Sequence, residues 1–174
     1  MGKEFFISPE KEYADTLKLV SLIEQSGWVD QHTVIVVCSP EYSSQVCQQL
    51  NHRLSHLNGN KPFEMDFLEM PYPNEETLDR DTYMDLCDKL CKKYYETEKK
   101  LLFIDSGCLR GSNFTILDNI AEAWLQPDRR KFGCLYMQDN SKFIPDYVVE
   151  TFSFSDQGGL IFSWENKDNP YWPW

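Results

Sequence analysis

The stretch of the chain best equipped for chemistry runs from Leu101 to Asn113 and reads LLFIDSGCLRGSN. An apolar run ends in an acid, Asp105; two glycines, Gly107 and Gly111, punctuate the segment that follows; Ser112 and Asn113 then open a predicted helix. Backbone N–H groups of such a loop, with the positive end of the helix behind them, make a cradle for an anion, and a phosphate group fits it. Arg110 adds the option of a charge-assisted contact. A structural reading of the same residues stays open beside this one, with Asp105 capping a turn and Gly111 serving a tight strand-to-helix connection.

Other chemistries find less support. Cys87 and Cys91 are four apart on a predicted helix, but structural zinc takes four ligands, and His32, His52 and His56 fall elsewhere, so no metal site is expected. Three of the six cysteines, which are Cys38, Cys47, Cys87, Cys91, Cys108 and Cys134, lie in or just after apolar runs and read as buried free thiols. A formal charge of −11 repels nucleic-acid backbones and anionic lipid alike, and the short basic runs Lys99-Lys100 and Arg129 to Lys131 read as solvated junctions before strands. No apolar run approaches the roughly 20 residues that cross a bilayer, and the opening MGKEFF is too short for a secretory core, so a cytoplasmic location is expected.

The elements that must position the loop alternate along the chain. Ser8-Pro9 caps a helix with Tyr13, Leu17, Val20 and Ile23 on one stripe, stopped by Gly27. Thr33 to Cys38 is a β-branched run without polar alternation, the mark of a strand covered on both faces. Ser39-Pro40 caps a second helix with Val46, Leu50, Leu54 and Leu57, ended by Asn58-Gly59; a strand follows at Phe63 to Met70, and then a long helix from about Thr77 to Glu96. The strand Leu101 to Ile104, a helix carrying Phe114, Leu117, Ile120, Ala121 and Trp124, and the strand Phe132 to Met137 complete the pattern, with short strands and turns from Tyr147 onward. The fold class is therefore α/β: one domain over residues 1–174, a doubly wound, mostly parallel sheet with helices on both faces, and a closing segment at about 140–174.

In such a sheet ligands bind beyond the carboxyl ends of the strands, where the Asp105 loop lies. There the sequence resembles the type I phosphoribosyltransferases, whose signature is an apolar strand, two acids, four residues, Gly, any residue and Thr; Asp105-Ser106, Gly111, Ser112 and Asn113 occupy those places without a gap. A second stretch, Cys134 to Trp164 with LYMQDNSKFIPDYVVE and GGLIFSW, is similar to the closing half of xanthine-guanine and hypoxanthine phosphoribosyltransferases. The resemblance implies a phosphoribosyltransferase-like fold and binding of phosphoribosyl pyrophosphate or a nucleotide. It makes Asp105 the catalytic candidate, holding a ribose hydroxyl. Ser106, the backbone of Leu109, Arg110 and Gly111, and the side chains of Ser112 and Asn113 would bind the sugar phosphate, while Gln138, Tyr147 and Val148 would border the base. It further implies Mg²⁺ carried by the substrate and Asp105, and self-association into a homo-oligomer.

Departures from the family pattern are as specific as the matches. Ser106 replaces the second acid, and Leu109 stands where the family has a proton-transferring carboxylate; leucine moves no proton. The pyrophosphate loop becomes Ser39-Pro40-Glu41-Tyr42-Ser43, Gln138 replaces a base-reading lysine, and Gly159 replaces a stacking aromatic. Two readings follow: a divergent transferase of phosphoribosyl groups to or from a purine-like base, or a catalytically inactive nucleotide-sensing or protein-interaction module. The aromatic run Pro170 to Trp174 reads either as an interface anchor or as cover for the last strand.

Overall fold

The structure is a computed structural model and describes residues 3–69, 80–108, 111–153 and 157–161; for residues 3–6, 41, 42, 83, 91 and 157–161 it describes the backbone alone. The chain runs β1 (Lys3–Phe6), α1 (Pro9–Ser26), β2 (Thr33–Cys38), α2 (Pro40–Leu54), β3 (Glu64–Leu68), α3 (Arg80–Cys87), β4 (Lys100–Cys108), α4 (Ser112–Glu122), β5 (Arg130–Gln138), β6 (Tyr147–Phe152) and β7 (Gln157–Ile161). Five strands form an all-parallel sheet in the order β3-β2-β4-β5-β6, and β1 pairs with β7, also in parallel, as a separate two-stranded sheet. Helices α2, α3 and α4 make the crossovers from β2 to β3, β3 to β4 and β4 to β5, while β5 and β6 are joined without a helix.

Local chemistry accounts for the element ends. Ser8 Oγ accepts the amide of Lys11 at 3.1 Å, Pro9 opens α1, and Gly27 closes it at φ 69° with its amide on Glu24. All six residues of β2 are buried, which is why its sequence lacks alternation. One core lies between the sheet and α1 and α2, with Leu19, Ile23, Val46 and Leu50 against Ile35, Leu102 and Ile104. The other lies beneath α3 and α4, with Leu86, Leu90, Phe114 and Leu117 against Val36, Phe103 and Phe132.

Several expectations change in detail. Tyr13 is 49% exposed and Trp124 42%; the inward stripe of α1 is Asp15, Thr16, Leu19, Val20 and Ile23, and Trp124 lies past the end of α4. Ser39 does not cap α2 with its side chain but sits in the left-handed region at φ 53°. The helix expected over 77–96 is described from Arg80, and after Cys87 it widens into a π-helical turn over Asp88–Lys92. The strand expected at Leu101 to Ile104 continues to Cys108, so Asp105 lies inside β4 rather than at its exit. The pair β1–β7 had no forecast strand at its first member. The aromatic run at Pro170 to Trp174 lies outside the described residues.

Candidate functional site

Asp105 is set in β4 opposite Cys134 of β5 and is 7% exposed. Ser43, in the first turn of α2, donates its hydroxyl to Asp105 Oδ1 at 3.0 Å and accepts the amide of Ser106 at 3.2 Å. Burial pushes the Asp105 carboxyl up to about 7, against the opposing pull of the Ser43 hydroxyl and the amides of Ser106 and Gly107. The same acid and its surroundings raise its neighbours: burial first, then the nearby Asp105 charge, drive the Cys38 and Cys47 thiols well above their ordinary value. Cys38, Cys47, Cys108 and Cys134 are buried and free, as expected for structural thiols; Cys87 is half-buried.

Beyond Cys108 the chain reaches Gly111, which precedes α4 at φ 79°. Its left-handed backbone and its surroundings both require glycine: a Cβ there would lie 2.7 Å from Phe143 Cβ and from Ser141 Oγ, and 2.9 Å from the Phe143 nitrogen. The turn between β5 and β6 thus forms a wall behind the loop. Ser141 holds that turn by donating to the Phe143 carbonyl at 2.7 Å, and its oxygen lies 3.9 Å from Cys108 Sγ. No side chain caps α4; its ladder begins with the Thr115 amide on the Gly111 carbonyl at 2.9 Å, and no acceptor among the described residues takes the amides of Gly111, Ser112 and Asn113. Asn113 Oδ1 is buried without a partner among the described residues. Free amides and an unmet side-chain amide in one helical turn suit a ligand that offers both acceptors and hydroxyl donors.

A purine phosphoribosyltransferase from Pyrococcus horikoshii Ot3 superposes with a TM-score of 0.59 at 13% identity, covering 94% of this chain and 95% of that one. The fold is that of the phosphoribosyltransferases. The Helicobacter pylori xanthine-guanine-hypoxanthine phosphoribosyltransferase gives a TM-score of 0.59 at 16% identity, covering 95% of this chain and 94% of that one. A hypothetical protein from Neisseria gonorrhoeae with bound ppGpp gives 0.63 at 11% identity, covering 97% and 92%. No protein-family model matches the sequence, and no curated protein matches it.

Within the phosphoribosyltransferase fold, the other candidate residues fall at two places. Gln138 ends β5 on the sheet edge where α4 opens; it is 8% exposed, and its side-chain amide has no partner among the described residues. Tyr147 opens β6 at the level of Gly133, and its hydroxyl donates to Ser26, the last residue of α1, at 2.9 Å. That bond ties Tyr147 to the edge where the strands begin, so the structure does not bring it to the loop. Val148 pairs with Cys134 and packs into the core under α4. Ser106 is buried beside Asp105, while Leu109 and Arg110 lie outside the described residues. Ser43, Ser141 and Phe143 were not foreseen. For Ser43 a signal existed, a hydroxyl in the first turn after β2, the strand beside β4; for the other two, in an irregular turn, there was none.

Proposed function

We propose that the chain binds a ribose 5-phosphate group, as a sugar phosphate or nucleotide, with its phosphate on the amides of Gly111, Ser112 and Asn113. The observation that carries this reading is the uncapped first turn of α4, walled by Ser141 and Phe143 at the carboxyl edge of a parallel sheet. Arg110, by its place in sequence, supplies the cation, and Asn113 and Gln138 supply amides for the sugar and base. A purine-like base belongs to this reading through the fold, whose solved neighbours include purine phosphoribosyltransferases; phosphoribosyl transfer is its finer form and requires that pyrophosphate be seated as well.

Magnesium enters only as the ligand's own counter-ion. The Asp105 carboxyl is turned to Ser43 and to chain amides, and no group of three or more candidate metal ligands occurs among the described residues. Among those residues no helix is long and apolar enough to cross a membrane. Self-association rests on the resemblance and is checked by sedimentation velocity.

The decisive experiment is calorimetry with ribose 5-phosphate on the native chain and on Ser112→Glu. An acid in the first turn of α4 favours the helix but occupies the anion's place. Binding is expected in the native chain and a loss of tenfold or more in the variant, roughly what one charge-assisted contact supplies, with an unchanged or higher unfolding temperature. Equal binding by both chains would remove the loop from the proposal.

A further inference from the structure

We infer that this site seats one phosphoryl group and has no second seat for pyrophosphate, so that its ligands are monophosphorylated sugars or nucleotides rather than phosphoribosyl pyrophosphate. The inference rests on the ribose-phosphate reading and narrows its substrate class. Strands β2 and β4 are parallel neighbours, and the helices that follow them, α2 and α4, both open on the carboxyl edge of the sheet. A ligand with phosphoryl groups at both ends of its ribose would need both openings.

The two openings are unlike. At α4 the amides of Gly111, Ser112 and Asn113 all lack acceptors among the described residues. At α2 the amide of Ser39 is taken by the Leu68 carbonyl at 3.0 Å, and Pro40 has no amide to offer. The first-turn hydroxyl of Ser43 is committed to Asp105 at 3.0 Å. Glu41 and Tyr42 retain the only other amides of that turn, and Glu41 brings a negative charge with it.

Charge completes the contrast. Residues 39–44 contain no Lys or Arg and include Glu41. An acid with no cation beside it in sequence disfavours a polyanion at α2, whereas Arg110 stands two residues before α4. One opening accepts an anion and the other turns it away.

Ribose 5-phosphate and phosphoribosyl pyrophosphate differ only in the pyrophosphate, so titrating each into the full chain, with and without Mg²⁺, isolates the second seat. Phosphoribosyl pyrophosphate is expected to bind no more tightly than ribose 5-phosphate, and inorganic pyrophosphate is expected not to displace either. Tighter binding of phosphoribosyl pyrophosphate by the roughly tenfold or more that a second charge-assisted seat brings, or displacement by pyrophosphate, would overturn the inference and leave the ribose-phosphate reading standing. So would release of hypoxanthine from inosine 5′-monophosphate on adding pyrophosphate and Mg²⁺. Failure of both sugar phosphates to bind would overturn the two together.

Discussion

Asp105 and Asp15 are both buried acids, yet their environments push them in opposite directions. At Asp15 burial alone would raise the carboxyl, but hydrogen bonds from Lys11 at 2.9 Å and Tyr136 at 2.9 Å, with the nearby charge of Lys11, hold it below its ordinary value. At Asp105 no cation among the described residues answers, and burial wins, up to about 7. A folded-state value raised above the unfolded 3.8 means the acid's contribution is intact below pH 4 and is lost as pH climbs through 7. Asp105→Asn is therefore expected to be more stable than the native chain at pH 8, by at most about 4 kcal/mol, and to show no gain at pH 4; urea unfolding at the two pH values checks this. Gly111 is the second sensitive position. Gly111→Ala combines a left-handed backbone with a contact no Cβ tolerates, and a loss of about 3 kcal/mol or more is expected in thermal unfolding. For that reason Ser112→Glu, which leaves the backbone as it is, is the better probe of ligand binding.

Among the elements, β5 divides its residues between the two cores out of strict alternation. Cys134 and Met137 pack toward α3 and α4, whereas Leu135 and Tyr136, consecutive residues, both pack toward α1 and α2. The break in alternation lets the Tyr136 hydroxyl reach Asp15 on α1, where Lys11 also bridges to Glu150 of β6. Tyr136→Phe removes one hydrogen bond to a buried charge and is expected to destabilise the fold by about 1–3 kcal/mol at neutral pH, with the pKa of Asp15 rising, as nuclear magnetic resonance titration would show. Nothing in the letters Leu135-Tyr136 announced this, because both residues suit either face. What was legible had strong local causes: the caps of α1, the unbroken apolar run of β2, the helical stripes of α2 and α4. The strand content of Asp105 to Cys108 was hidden, since an acid and a glycine usually mark an exit and here the pairing with β5 overrides them. The loop before α4 was visible as a spacing, but its wall of Ser141 and Phe143 depended on contacts more than 25 residues away along the chain.

Taken whole, the molecule is held by its five-stranded sheet, with β4 at the centre and cores on both sides. The two-stranded sheet of β1 and β7 lies outside that arrangement, and an isolated pair of strands contributes little stability of its own. Amide hydrogen exchange is expected to be slowest in β2, β4 and β5 and faster by orders of magnitude in β1 and β7; uniform protection of all seven strands would contradict this.

The pairing of β1 with β7 also sets an order of events during synthesis. Residues 3–6 leave the ribosome long before their partners at 157–161, which emerge only after the whole main sheet has been made. At the usual pace of translation that interval is on the order of ten seconds or more, during which the early segment has no mate. The small sheet therefore fastens after the main one, and a chain cut short after Ser153 would leave residues 3–6 without their mate and open to proteases.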